Sequence, residues 1–275
     1  MSTQQGYQVL SRAVPSSELF AIREGVPGIL TDAFDPLSHG GIAYADLASS
    51  FDGGTIALVD ETRTQLFTGP RNGLLTAVET GLTNLRRPQF VLGVAWVLGD
   101  DATGRPVLLR VLRDTTTEQV ILDDEPGERI EGFAVSPTGS RIALILAGPG
   151  GRKLGVATVM STTPARVVAW RELALLSGGK SPVTDVTSVA WADEMSLALI
   201  GTADADLSVF TTKVDGSGIQ DLSPPSEEPA SITALARQGG GPIAVLTDGG
   251  TVWRYDARTR WSRIGDDMDA IGYSG

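Results

Sequence analysis

A short pattern recurs along this chain and limits its fold more than any other feature. In the clearest copies, at 48–59 and 134–145, an alternating strand leads through a tight polar turn into a short apolar strand. Ser, Asp or Pro shapes each turn, and Gly supplies the residue with positive φ. The strand after the turn is apolar at consecutive positions, which predicts that both of its faces are covered.

Three variant copies, at 89–98, 189–200 and 235–246, keep the same rhythm. Their second strands align at Ile56, Val94, Ile142, Leu197 and Ile243. These positions recur at steps of about 38 to 55 residues, and propeller blades recur at about 40–50. Two more short strands follow each copy, at 64–68 and 74–79, 106–113 and 119–122, 153–160 and 165–169, 207–214 and 219–222, and 251–255 and 261–264. Four short antiparallel strands per repeat predict an all-β fold, a β-propeller.

Five repeats leave strand-like sequence at both ends of the chain. Residues 7–13, 18–23 and 28–32 predict three strands, and 270–273 predict one. We therefore expect one propeller domain over 1–275 with six four-stranded blades. In the closing blade the C-terminal segment (270–275) is innermost and the N-terminal strands (1–34) lie outside it. Because the second repeat is irregular, five or seven blades stay open.

The composition excludes several classes of function. The formal net charge is −11, so a nucleic acid or an anionic membrane surface would be repelled. The densest basic cluster, Arg258, Arg260 and Arg263, is flanked by aspartates, and an ordinary solvated acidic surface is expected. There is no cysteine, hence no disulfide, thiolate nucleophile or Cys-based zinc site. No apolar stretch reaches 18 residues, and no signal-peptide core is found. We expect this sequence to be a piece of a longer chain.

His39 is the single histidine, and it follows Asp35 in a loop-like segment. A Ser-His-Asp triad would have to use it, but no G-x-S-x-G elbow supplies a serine. A His-based metal site would lack a second imidazole. We therefore predict that His39 is a surface loop residue.

Carboxylates cluster in three places, and each cluster falls between strands. They are Asp123, Asp124 and Glu125; Asp204 and Asp206; and Asp266, Asp267 and Asp269. Paired carboxylates can hydrolyse glycosides and oxygen-rich loops can bind Ca²⁺, but none of these follows EF-hand spacing. Solvated turns are the simpler interpretation. The turn at 50–55 faintly resembles a sialidase Asp-box but has Ile56 where an aromatic residue would follow. No catalytic, cofactor-binding or metal-binding residue is assigned, and we predict a protein that is not an enzyme.

Five tryptophans lie within or beside the predicted strands, at Trp96, Trp170, Trp191, Trp253 and Trp261. Trp96 and Trp191 flank the first tight turn of their repeats and are interpreted as occupying matching places. Packing between blades is the expected role. A platform on which a ligand stacks is the alternative.

Two resemblances follow from these motifs. The turns at 50–54 and 136–140 resemble the serine–proline–aspartate–glycine turns of Tol-type propellers. The runs 82–88, 130–145, 186–191, 213–217 and 248–254, the last followed by Trp261, resemble in order and spacing the propeller domain of the actinobacterial lipoprotein family LpqB. That resemblance covers most of the chain from about residue 41 onwards.

The resemblance implies an extracytoplasmic lipoprotein, anchored in the cell membrane by an acylated cysteine outside this sequence. It implies a non-enzymatic, protein-interaction role beside the MtrA–MtrB two-component system, through contact with the extracytoplasmic sensor part of the kinase MtrB. Cell-envelope homeostasis and division are the processes implied. We expect the contact surface on one face of the ring, whose loops include 35–41, 99–105, 147–152 and 178–184. The alternative is a propeller that binds or hydrolyses cell-wall glycans, which converging carboxylates in the channel would favour.

Overall fold

The computed structural model describes residues 18–39, 41–123, 129–175, 182–204, 206–222, 232–237, 243–256 and 260–274. Within them the chain forms strands and no helix, and these strands make six sheets. The sheets are the blades of a six-bladed β-propeller, so the predicted fold and blade number are confirmed. None of the described residues belongs to a helix long and apolar enough to cross a membrane.

The blades follow one another along the chain, and each is given from its innermost strand outwards. Blade 1 has Tyr44–Ser49, Thr55–Asp60, Leu66–Pro70 and Thr76–Val78. Blade 2 has Thr83–Val91, Val94–Asp100, Pro106–Val111 and Thr117–Gln119. Blade 3 has Arg129–Val135, Arg141–Gly148, Gly151–Met160 and Arg166–Glu172, with Ile121–Leu122 added in parallel at its outer edge.

Blades 4 and 5 repeat this order without an added strand. Blade 4 has Thr184–Asp193, Ser196–Ala203, Asp206–Lys213 and Gln220–Asp221. Blade 5 has Ile232–Arg237, Ile243–Thr247, Val252–Asp256 and Arg260–Gly265. The five residues that the repeats align all lie at the start of second strands. Those strands are buried almost throughout, as expected for sheets covered on both faces.

Blade 6 joins the two ends of the described chain. Its strands are Ala270–Ile271, Leu19–Arg23, Val26–Leu30 and Phe34–Pro36. The C-terminal strand is innermost, as predicted, but the outer strand was not foreseen. It is only three residues long and ends in proline, which a sheet tolerates at its edge. The predicted strand at 7–13 lies outside the described residues, so the domain extent 1–275 stays a prediction.

The chain does not stop at blade 6. After Gly272, Tyr273–Ser274 runs parallel to the innermost strand of blade 1, with Tyr273 opposite Ala48. The Gly272 N–H donates to the Phe20 carbonyl at 2.7 Å. Consecutive C-terminal residues therefore hold two neighbouring blades, and the ring seam is closed on both sides.

Among the described residues the core is divided into six apolar clusters, and each lies between two neighbouring blades. The cluster between blades 3 and 4, for example, joins Ala143 and Ile145 to Trp191 and Leu199. Since no cluster belongs to a single blade, each sheet depends on both neighbours for burial of its faces.

Strand direction defines two faces of the ring. The upper face carries the start of each innermost strand and the turns between second and third strands. The lower face carries the turns from innermost to second strands and those from third to outer strands. The loops 35–41, 99–105, 147–152 and 178–184 all belong to the upper face by this criterion, although residues 40 and 178–181 lie outside the described part.

Candidate functional site

A polar cavity of about 410 Å³ occupies the central channel towards the upper face. The innermost strands of all six blades contribute to its wall. Its lining includes Asp46, Arg63, Asn84, Arg86, Arg87, Gln89, Phe133, Ser188, Ala234, Asp269 and Ile271. Its volume lies within the range of pockets that bind small ligands.

Arg87 crosses this channel from blade 2 to blade 4. Its guanidinium donates to the Thr187 carbonyl at 2.7 Å and to Ser188 Oγ at 3.2 Å. It passes Gly132 on blade 3, where an added Cβ would lie 3.5 Å from Arg87 Cζ. The Arg87 side chain thereby joins blades 2 and 4. The glycine at 132 leaves room for it to pass blade 3.

Local backbone irregularity directs Arg87 inwards. The innermost strand of blade 2 shifts register twice, between Thr83 and Arg86 and between Arg86 and Gln89. Arg87 has φ of 52°, in the left-handed region that non-glycine residues seldom adopt. Such β-bulges re-aim a side chain and often stand next to functional sites.

Asp46 of blade 1 lies beside this arginine. Its carboxylate accepts N–H groups from Arg87 at 2.7 Å and Leu47 at 2.9 Å, and lies 4.0 Å from the Arg63 guanidinium. Burial raises the pKa of Asp46, against the opposing effects of these amides and of both arginines. Burial likewise lowers the pKa of Arg87. Both groups are held in a poorly solvated part of the channel.

Ion pairs continue around the rim. Asp100 accepts hydrogen bonds from Asn84 at 2.8 Å and Arg86 at 3.1 Å, and Arg129 of blade 3 lies 3.2 Å away. Burial opposes ionisation of Asp100, but the hydrogen bonds from Asn84 and Arg86 outweigh it and lower its pKa. The rim thus ties blade 2 to blade 3.

Blades 3 and 4 are connected in the same way. Arg152 lies 2.5 Å from Glu131 of its own blade and 2.8 Å from Asp185 of blade 4. Hydrogen bonds to both carboxylates raise the pKa of Arg152. A polar belt therefore runs over four consecutive blades, and Arg87 is its innermost member.

The carboxylates of the cavity are engaged with the backbone. Asp46 is held by two N–H groups, and Asp269 accepts the Gly25 N–H at 3.2 Å. Glycoside hydrolysis requires two carboxyl groups directed at one glycosidic bond, one of them able to deliver a proton. The observed arrangement instead presents guanidinium groups beside anchored carboxylates, which suits polar contacts and inter-blade cohesion.

Among the described residues, the histidine and the acidic clusters that the sequence singled out lie outside the channel, apart from Asp269. His39 is half-buried in the loop that leads into blade 1, and no described group bonds its Nε2. Asp123 pairs with Arg166, and Asp266 pairs with Arg263, both at 2.5 Å. Asp124, Glu125 and Arg258 lie outside the described residues. In the described part of the chain, no three metal-ligating side chains come together.

The turn at 50–55 is held by hydrogen bonds among its own residues. Ser50 Oγ donates to Asp52 at 2.6 Å, and Asp52 also accepts the Gly54 N–H at 3.0 Å. These bonds, the serine bond foremost, lower the pKa of Asp52. Gly53 has φ of 68°, which explains glycine at this position.

The tryptophans pack between blades, but Trp96 and Trp191 do not hold matching places. Trp191 is on the innermost strand of blade 4, whereas Trp96 is on the second strand of blade 2. The interpretation was wrong because a tight turn has one strand on each side, and sequence proximity does not distinguish them. Trp191 is fully buried and donates from Nε1 to the Ala134 carbonyl of blade 3 at 2.8 Å. Trp96 is buried between blades 2 and 3.

Sequence reasoning missed Asp46 and Arg87. One signal was available: two arginines and a proline, 86–88, lie side by side in the middle of the innermost strand of blade 2. A charge in such a strand must find a partner inside the channel or at its mouth. The partners Thr187 and Ser188 are about a hundred residues away and could not be inferred from spacing.

The geometry defines a class: a six-bladed propeller whose channel is bridged by polar side chains. Residues 28–270 match the model of the family described as the lipoprotein LpqB beta-propeller domain, and the chain belongs to that family. It is 28% identical over 200 residues to the lipoprotein LpqB of Cutibacterium acnes. That match covers 72% of this chain and 33% of the relative, so the chain spans about a third of the relative's length.

Solved structures show the same fold at low identity. The TolB structure from Acinetobacter baumannii matches with a TM-score of 0.69 at 11% identity, over 94% of this chain and 66% of that one. A chain of a nidogen/laminin complex matches with a TM-score of 0.65 at 11% identity, over 93% and 97%. At this identity the likeness concerns the propeller architecture alone.

Proposed function

We propose that this propeller is a non-enzymatic, extracytoplasmic protein-interaction module of a membrane-anchored lipoprotein. We further propose that it modulates the MtrA–MtrB two-component system by contacting the sensor kinase MtrB, and so acts on the cell envelope and division. The observation that carries the proposal is membership of the LpqB propeller family over residues 28–270. The anchored carboxylates of the channel support a binding role over a catalytic one.

A rigid ring suits such a role. Inter-blade clusters and the polar belt fix the blades, while the turns on both faces are free to vary. A partner would meet a preformed surface, so little conformational entropy would be lost on binding.

The experiment is a direct binding assay between this domain and the purified extracytoplasmic sensor region of MtrB. We expect saturable binding by calorimetry at micromolar to tens-of-micromolar concentrations, and none to an unrelated six-bladed propeller used as control. Absence of binding with both partners folded would overturn the proposal.

The glycan-binding alternative is distinguished by a second titration. Solubilised cell-wall glycan fragments are added to the isotopically labelled domain, and amide shifts of channel residues such as Asn84 and Gln89 are followed by NMR. The interaction-module proposal expects no saturable shifts. Saturable shifts confined to the channel would favour the glycan function instead.

A further inference from the structure

The most exposed large apolar side chains in the described residues lie on the lower face. Leu74 is 93% exposed, Leu92 68%, Met195 56% and Met160 46%, whereas the most exposed counterpart at the upper face, Ile42, is at 43%. All four belong to turns or strand ends at the lower face. Val26 and Leu207, also at the upper face, are 41% and 36% exposed. Scattered exposed apolar residues are ordinary, but the bias of the most exposed ones towards one face is typical of an interaction surface.

Leu92 is unusual for a leucine in its backbone conformation as well as in its exposure. Together with Gly93 it forms a two-residue hairpin loop, with φ of 53° and 76°. Hairpin loops with positive φ at both positions favour Asn-Gly, and a bulky aliphatic residue there is an outlier. It is the one large aliphatic side chain at positive φ among the described residues. The side chain contributes little burial and no favourable backbone preference to the fold, which points to use by a partner.

Leu92 and Met195 belong to a continuous surface over three blades. A Cβ at Gly139 of blade 3 would lie 3.5 Å from Leu92, which places the first turns of blades 2 and 3 in contact. Thr138 of blade 3 donates from its N–H to Glu194 of blade 4 at 2.9 Å. Met195 follows directly. We call this surface, from Leu92 to Met195, the lower-face strip.

Two arginines lie along the lower-face strip. Arg113 is exposed and its guanidinium is beside Gly93, 3.3 Å from where a Cβ would stand. Arg141 donates to Met195 Sδ at 3.7 Å. Neither has a carboxylate partner in the described part of the chain, although this protein has a net charge of −11. Unpaired cations beside exposed apolar groups are complementary to carboxylates beside apolar side chains.

We propose that the lower-face strip is the docking surface for the protein partner, through a segment that carries apolar side chains flanked by carboxylates. The inference rests on the proposed function, and its occupant is the sensor region named there. It places the contact on the face opposite the loops expected from the sequence, which are 35–41, 99–105, 147–152 and 178–184.

Leu92→Asn separates folding from binding. It creates the Asn-Gly loop that the backbone prefers, so we expect Tm to rise by about 1–3 °C. Binding to the sensor region should weaken at least tenfold, since the most exposed apolar anchor of the strip is removed. Ile42→Asn is the matched control on the upper face, and its affinity should stay within twofold of the wild type.

Met195→Glu is the second variant, and it keeps the test decisive if Leu92→Asn fails to fold. It places a carboxylate where the partner is expected to bring its own, so affinity should fall at least tenfold. Arg113→Gln and Arg141→Gln should slow association and weaken its dependence on salt.

The outcomes distinguish the two proposals. If the wild type binds and both Leu92→Asn and Met195→Glu bind equally well, the lower-face strip is wrong and the proposed function stands. If Ile42→Asn alone weakens binding, the upper face is the docking surface and the strip is again wrong. If the wild type does not bind the sensor region at all, both proposals fall together.

Discussion

The pKa values of individual carboxyl groups in this protein shift in opposite directions because their surroundings differ. Hydrogen bonds lower the pKa of Asp52 in an exposed turn, and burial raises that of Asp46 in the channel. A lowered carboxyl pKa means that the folded state binds the proton less well than the unfolded chain. Asp52 therefore contributes stability above about pH 3.9, and this is lost as pH falls through its folded-state pKa.

Ser50→Ala should shift this titration. Without the Ser50 hydroxyl, the pKa of Asp52 is expected to rise towards its ordinary value, while that of Asp101, lowered by its own bonds to Thr103, stays low. Carboxyl-carbon NMR over pH 2–6 measures both, and Asp46 should titrate above the two of them in the wild type. An unchanged Asp52 midpoint in the variant would contradict the assigned cause.

Arg87 is the residue on which the channel geometry most depends. Arg87→Met keeps the backbone bond to Asp46 but leaves the Thr187 carbonyl and Ser188 without their donor. We expect a loss of about 2–3 kcal/mol in the free energy of unfolding, measured in urea, because charged hydrogen bonds inside proteins contribute on that scale. Arg141→Met is the surface control and should cost less than about 0.5 kcal/mol. Equal losses would show that Arg87 does not bridge the blades.

Individual strands depend on their neighbours across blade interfaces. Trp191 fills the interface between blades 3 and 4 and bonds the Ala134 carbonyl. Trp191→Phe should therefore cost about 1–3 kcal/mol, since a buried carbonyl loses its donor as well as contact area. Trp96→Phe is the matched control, with a ring that packs against Arg110 at 5.3 Å, and it should cost less. A smaller loss for Trp191→Phe would mean that the indole bond contributes nothing to cohesion.

The whole ring depends on six C-terminal residues. Ala270–Ile271 supplies the innermost strand of blade 6, and Tyr273–Ser274 pairs with blade 1. Deleting 270–275 should lower Tm by at least about 10 °C and broaden the transition, because it opens two sheet edges and uncovers a blade interface. Calorimetry is the measurement.

A pair of point variants tests the closure of the ring by the C-terminal strand without truncating the chain. Ile271 is 6% exposed between blades 5 and 6, whereas Ile121, in the added outer strand, is 40% exposed. Ile271→Ala should cost about 2–4 kcal/mol and Ile121→Ala less than about 1 kcal/mol. If the truncated chain melted like the full one, the closure by the C-terminus would be incorrect.

The sequence determined the fold because its signals are local. Turn chemistry at Ser50–Asp52–Gly53 and consecutive apolar residues after it specify two strands and the hairpin between them. Five such copies plus strand-like ends predict a closed ring. The same reasoning missed Phe34–Pro36, which is too short for a periodic signal, and assigned 119–122 to one outer strand. In the structure Thr117–Gln119 stays in blade 2, and Ile121–Leu122 joins blade 3.

Only the tertiary structure decided which residues share the channel and which side chains stay exposed. Arg87 meets Thr187 because a ring brings distant innermost strands around one axis, and because two register shifts turn the arginine inwards. In the sequence Leu92 looks like any apolar strand residue, because its positive φ and its exposure on the lower face are visible only in the structure. Convergence and exposure depend on how blades pack, which local sequence preferences do not encode.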